Sequence, residues 1–230
     1  MNLVFESIID FIYPKKSVLT DNKILEDSDN KYWNINDIAL LEKSTDEQNE
    51  KIKNRLNCDY FYSSLTFDKE NYTQKLIHTI KYSGFKNLGA ECGKLFGNEV
   101  LTFIKQNNIS IDYIVPVPLH PVKERERGFN QSSYIAKEIS NVCSIPVNNK
   151  IIYRIKNTKS QTKLSNAARK QNVKNAFKIN DSFLSLIANN NILLLDDVVT
   201  TGSTINEICD LLIKNKVNKI FVYTLSSVNS

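Results

Sequence analysis

Between Ile192 and Thr204 the chain reads ILLLDDVVTTGST, and few arrangements of secondary structure accommodate that order of residues. Ile192 to Leu195 form an uninterrupted apolar run, the pattern of a strand covered on both faces. Two carboxylates, Asp196 and Asp197, stand at its C-terminal end. Val198 and Val199 dock the turn, and Thr200, Thr201, Gly202, Ser203 and Thr204 open a helix. Backbone N–H groups at a helix N-terminus, helped by the helix dipole, suit a phosphate. Gly202 lets the backbone approach closely, and the Thr and Ser hydroxyls add donors. A carboxylate pair accepts strong hydrogen bonds from a vicinal diol. The element therefore asks for a ligand that carries both groups, as the 5-phosphoribosyl unit does.

The rest of the chain surrounds this element with alternating strands and helices. Apolar spacing predicts a helix over 3–12, ended by Pro14, and then a polar stretch, 15–57, with no clear period and partly disordered. A strand is expected at 60–67, a helix over Glu70–Tyr82 with Gly84 after its end, and a second helix over 87–105. Asp112–Val117 reads as a strand entering a proline-rich loop, Asn130–Val142 as a helix, and Ile151–Ile155 as a strand. Residues 156–172 read as a basic loop with a short helical piece after Ser165. Strands at Ala176–Ile179 and Lys219–Leu225 and a helix over Thr204–Asn215 complete the pattern. Such alternation predicts an α/β fold with a central parallel sheet covered by helices, whose ligands bind at the C-terminal ends of the strands. The expected division is a small N-terminal appendage, 1–59, and one α/β domain, 60–230.

Charge is unevenly placed. Residues 119–175 carry 12 Lys/Arg against 3 Asp/Glu, an excess larger than the whole chain's net +5. A block of this kind suits a polyanion, pyrophosphate or nucleic acid, although solvated basic faces are common. Cys58, Cys92, Cys143 and Cys209 are scattered, so no disulfide framework or zinc cluster is expected. Cys92 and Cys209 read as core residues, and His78 and His120 lack metal-ligand partners at helical spacing. No run approaches the roughly 20 apolar residues of a membrane helix, and MNLVFESIIDFIYP lacks a basic leader, so a cytoplasmic location without membrane insertion is expected.

The window at 192–204 resembles the diphosphoribosyl-phosphate signature of type I phosphoribosyltransferases. A P-loop does not fit, because the Gly-Lys-Ser/Thr is missing. A strand-end acid pair of the receiver or dehalogenase kind leaves TTGST unexplained. The resemblance extends to LIHTIKYSGFKNLG (Leu76–Gly89), VPVPLHPVKERERGFNQS (Val115–Ser132) and QTKLSNAARKQNVKNAF (Gln161–Phe177), and together these blocks look like the ComF family. Those proteins are amidophosphoribosyltransferase-like and are associated with competence and DNA uptake. Family members usually begin with a zinc module of paired cysteines. Here the first pair would fall at Pro14–Thr20, which holds no cysteine, and only Cys58 stands where the last would be, so zinc is not expected.

The resemblance implies roles. Asp196 and Asp197 would hold the ribose diol and meet Mg²⁺ through water, while Val199–Thr204 hold the 5-phosphate. Pro116, Val117 and Pro118 would present backbone N–H groups to pyrophosphate, with Arg125 and Arg127 reaching its oxygens. Lys159, Lys163 and Arg169 belong to a segment that would close over it as a flap. If the chain is catalytic, Asp196, Asp197 and Arg127 carry the displacement of pyrophosphate from phosphoribosyl diphosphate. Gly128 is expected in a tight turn, Asn130 as a helix cap, and Phe129 as a packing anchor. The alternative is a non-catalytic accessory that senses the ligand or binds single-stranded DNA beside the DNA-uptake machinery, with Phe129, Tyr134 and Tyr153 as candidate stacking residues.

Overall fold

A computed structural model describes residues 15–24, 31–68, 71–158 and 171–228. The apolar run at 192–195 does become an interior strand. Strands β1 (Tyr60–Phe67), β2 (Tyr113–Pro116), β5 (Asn191–Val199) and β6 (Lys219–Val228) form a parallel sheet in the order β1-β6-β5-β2. Both faces of β5 are covered. Leu193 and Leu195 belong to one buried cluster with Leu76, Ile80, Leu88, Cys92, Phe96 and Ile135. Ile192 and Leu194 belong to a second with Ile151, Phe177, Ile205, Ile208 and Cys209. Two apolar faces on one strand leave no wet side, which is why its sequence does not alternate.

Helices α2 (Tyr72–Tyr82), α3 (Lys86–Gln106) and α5 (Gln131–Cys143) cover the first face, and α7 (Ser203–Lys214) covers the second. The stripe Leu88, Cys92, Phe96 and Val100 on α3 is fully buried, as its spacing predicts. A Cβ at Gly93 would stand 2.6 Å from the Ile135 carbonyl oxygen, so glycine there lets α3 and α5 pack closely. Strands β3 (Ile152–Arg154) and β4 (Phe177–Ile179) pair antiparallel in a separate two-stranded sheet.

Three features depart from the sequence expectation. The described parts of the polar stretch, 15–24 and 31–57, have order where no period was visible. They contain a 3-10 turn at Ile35–Leu40 and helix α1 (Asp46–Lys53), whose Thr45–Gln48 capping box supplies the start signal that apolar spacing does not. Leu19, Trp33 and Leu41 join the first core, and Ile52 and Leu56 join the second. The proline-rich loop after β2 holds helix α4 (Pro121–Arg127), with His120 as its cap, Pro121 at the first turn and Gly128 closing it at φ 83°. PVKERER has almost no apolar residue, so only its capping chemistry marks it. Finally, β5 continues past Leu195, because pairing with β6 persists through Val199↔Ser227. The 3–12 helix and the helical piece after Ser165 lie outside the described residues. A further short helix, α6 (Leu184–Ile187), precedes β5. Among the described residues no helix is long and apolar enough to cross a membrane.

Candidate functional site

The acid pair sits on β5 with each carboxylate held by a different helix. Ser132, in the first turn of α5, donates to Asp196 Oδ1 at 3.2 Å, and the Asp197 backbone N–H donates to the same oxygen at 2.9 Å. Lys81, in the last turn of α2, places its ammonium 3.0 Å from Asp197 Oδ2. That oxygen is buried and has no aligned hydrogen-bond donor among the described residues, so the Lys81 contact is an ion pair. Burial, then the neighbouring Asp197 charge, pushes the Asp196 carboxyl up to about 7, against the pull of Lys81 and the two hydrogen bonds. A carboxyl so poised exchanges its proton near neutrality.

The following turn has the geometry of an anion loop. Gly202 caps α7 at φ 74°, a left-handed conformation that glycine adopts without strain. Gly202, as the cap residue, contributes no side-chain hydrogen bond to the first turn of α7. Thr201 and Ser203 hydroxyls lie 2.9 Å apart beside it. Val199 is buried, and Thr200 and Thr204 are half-buried. The loop is backed by the N-terminal segment. Leu56 lies where a Cβ on Gly202 would come within 2.4 Å. Asn57 and the Arg55 carbonyl bond to Asn206, and Asn57 also bonds to Asp210.

The cationic side is assembled from α4 and β3. Arg127 donates to Gln131 and lies 5.5 Å over the Tyr82 ring. Arg154 on β3 bonds to Thr158, stacks on Phe177 at 5.2 Å, and keeps a buried Nε without a partner among the described residues. Burial lowers the Arg154 pKa while Asp196 opposes the shift. Burial, then Arg154 and Arg127, lowers the Lys123 pKa. Like charges gathered this closely await an anion.

The sequence expectation needs correction on the pyrophosphate loop. Pro116 and Pro118 have no N–H. Val117 donates its own to Leu195 O at 2.8 Å, inside the sheet, so this loop has no backbone donor to offer there. Arg125 is exposed on α4. Lys159, Lys163 and Arg169 lie outside the described residues. Around the loop other expectations hold: Gly128 is left-handed, Asn130 Oδ1 caps α5 by accepting from Ser132 N–H, and Phe129 is buried against Tyr134. Sequence reasoning missed Lys81, Lys123, Ser132 and Arg154. The first three fall within the family-like blocks at 76–89 and 115–132, which were the available signal.

The parallel sheet, with an acid pair on its interior strand and a glycine-opened helix after it, is the architecture of the type I phosphoribosyltransferase fold. A family model for the phosphoribosyl transferase domain matches residues 130–230. Competence protein F of Haemophilus influenzae is 42% identical over 113 residues, 49% of each chain. DNA utilization protein YhgH of Salmonella typhimurium is 33% identical over 151 residues, 65% of each chain. The chain is thus similar to competence and DNA utilization proteins, and its residues 130–230 match the phosphoribosyl transferase domain. It spans 49% and 65% of the length of these two relatives. Among solved structures, a glutamine phosphoribosylpyrophosphate amidotransferase from B. subtilis aligns with a TM-score of 0.42 and 13% identity, over 65% of this chain and 30% of that one.

Proposed function

We propose that this chain binds 5-phosphoribosyl 1-diphosphate at the C-terminal edge of β5 and serves DNA uptake or use in the cytoplasm. The observation that carries the reading is the acid pair on β5 followed by the α7 N-terminus at Gly202. The α7 N–H groups and the Thr201 and Ser203 hydroxyls would hold the 5-phosphate. Asp196 and Asp197 would take the ribose hydroxyls. Arg127, Arg154 and Lys123 would face the diphosphate, assisted by Arg125 and by the segment bearing Lys159, Lys163 and Arg169. In turnover, pyrophosphate leaves C1′, and the chain's part is to fix the ribose and stabilise the departing anion. The names of the relatives support the DNA role.

Mg²⁺ fits this donor set in a restricted way. Asp196 offers carboxylate oxygen, whereas the Asp197 Oδ2 atom is already ion-paired to Lys81. Magnesium keeps waters and prefers diphosphate oxygens, so Asp196 would meet it through water. When bound it would neutralise charge on the leaving diphosphate. Zinc is assigned no role.

Changing both Asp196 and Asp197 to Asn should weaken phosphoribosyl diphosphate binding by about 1.5–3 kcal/mol for each charged hydrogen bond lost. Calorimetry that shows unchanged affinity in the folded double variant refutes the assignment.

A second reading, a single-stranded nucleic acid accessory, is favoured by the basic excess at 119–175. Tyr153 is 45% exposed and available for stacking, unlike buried Phe129. Fluorescence anisotropy with labelled single strands should show weak, sequence-indifferent binding that falls steeply with salt. No binding at low salt would leave the small-molecule reading alone.

A further inference from the structure

Helix α2 ends inside the site. Lys81, in its last turn, meets Asp197 with the lysine side chain 23% and the carboxylate 6% exposed. The next residue, Tyr82, lies against Arg127. Ile77 and Ile80, one turn back on the same helix, are buried in the core, so α2 holds its orientation and delivers Lys81 to a fixed place. The LIHTIKYSGFKNLG block thereby has a chemical task that neither the acid pair nor the phosphate loop accounts for.

Two adjacent carboxylates on a covered strand demand a positive charge, because an unpaired buried charge is strongly unfavourable. At sites that handle phosphate esters a divalent ion is the usual source of that charge. Here an ammonium already stands 3.0 Å from the buried oxygen of Asp197, which has no hydrogen-bond donor among the described residues. A metal ion and a lysine ammonium 3.0 Å from the same oxygen exclude one another by charge and by volume.

We infer that Lys81 is a tethered cation standing at Asp197 in place of a metal ion, so that the ligand-free protein recruits no divalent ion to Asp197. Lys81 is then a positioning residue. It holds the Asp197 carboxylate in place beside the ribose position, and any divalent ion enters with the diphosphate, on the Asp196 side. The consequence for the ribose rests on the phosphoribosyl reading above. The statement about metal exclusion does not.

The test uses the full chain, without ligand, and Mn²⁺ as the probe, counted by electron paramagnetic resonance. Wild type should hold no Mn²⁺ at the acid pair at sub-millimolar concentration. Lys81→Met should gain one site, with affinity raised roughly tenfold or more, an ordinary size for coupling between two binding events. Lys81→Arg, which keeps the charge, should gain none, and Lys81→Met combined with Asp197→Asn should lose the new site. Should Lys81→Met fail to fold, Lys81→Gln carries the same expectation. Equal Mn²⁺ binding by wild type and the neutral variants, or a new site in Lys81→Arg, overturns the inference. Calorimetry of wild type with phosphoribosyl diphosphate runs alongside. Its failure would remove the ribose reading, while the Mn²⁺ result still decides the role of Lys81.

Discussion

The two sides of the site are built differently. The acid pair and the phosphate loop belong to β5 and α7. That strand is hydrogen-bonded to β6 along most of its length and to β2 at its beginning, with buried clusters on both faces. The cationic side hangs on a seven-residue helix and a two-stranded sheet. On the proposed reading, the sugar phosphate would be met by a fixed surface and its leaving group by parts with fewer neighbours. Local stability follows contact density, so the second side is the one able to move during binding.

The comparison breaks most readily at Gly202. Gly202→Ala must hold a left-handed backbone and press on Leu56, and should destabilise the protein by about 2–5 kcal/mol. Leu56→Ala in the same chain should recover the packing part, so the double variant loses less than the sum of the singles in denaturant unfolding. If the losses simply add, the loop is not braced by the N-terminal segment.

On the cationic side, Arg154→Ala should lower affinity for inorganic pyrophosphate by about 1.5–3 kcal/mol, as expected for a charge-assisted contact. The exposed Arg125→Ala serves as the control, with a stability change within about 0.5 kcal/mol. Equal effects on pyrophosphate binding in calorimetry would mean that burial beside Phe177 does not single out Arg154.

A separate effect concerns pH. The Asp196 carboxyl lies near 7 in the folded chain against an ordinary 3.8, so folding favours its protonated form. Its contribution is therefore most favourable below the ordinary value and is lost as pH rises toward about 7, then stays flat. Asp196→Asn removes that slope. The variant should gain on wild type between those limits and keep a constant advantage above them, in paired unfolding curves at several pH values. A constant difference throughout would mean that Asp196 titrates normally.

How much of this the sequence disclosed depends on where the information lies. β5 and α7 were legible because an apolar run, an acid pair and a glycine occupy consecutive positions. The caps at Gly128 and Asn130 were legible for the same reason. Arg154 was not, because its pairing with Phe177 and its nearness to Asp196 join distant parts of the chain. Lys81 lay in a recognised block, but nothing local says that the end of α2 reaches Asp197. Val117 was misread because its N–H looks available until the partner strand is known. Helices α1 and α4 escaped because they are mostly polar and are marked by caps alone.

The strand order has a consequence for how the chain is made. β6 lies between β1 and β5, yet it is the last of the strands to leave the ribosome. Until it emerges, β1 and β5 have no partner in common and the acid pair has no finished sheet beneath it. Long-range parallel pairings of this kind form slowly, because distant segments must meet before any contact compensates the lost chain entropy. A nascent chain therefore lacks a finished sheet beneath the acid pair until β6 has emerged, and until then the apolar run of β5 stays exposed.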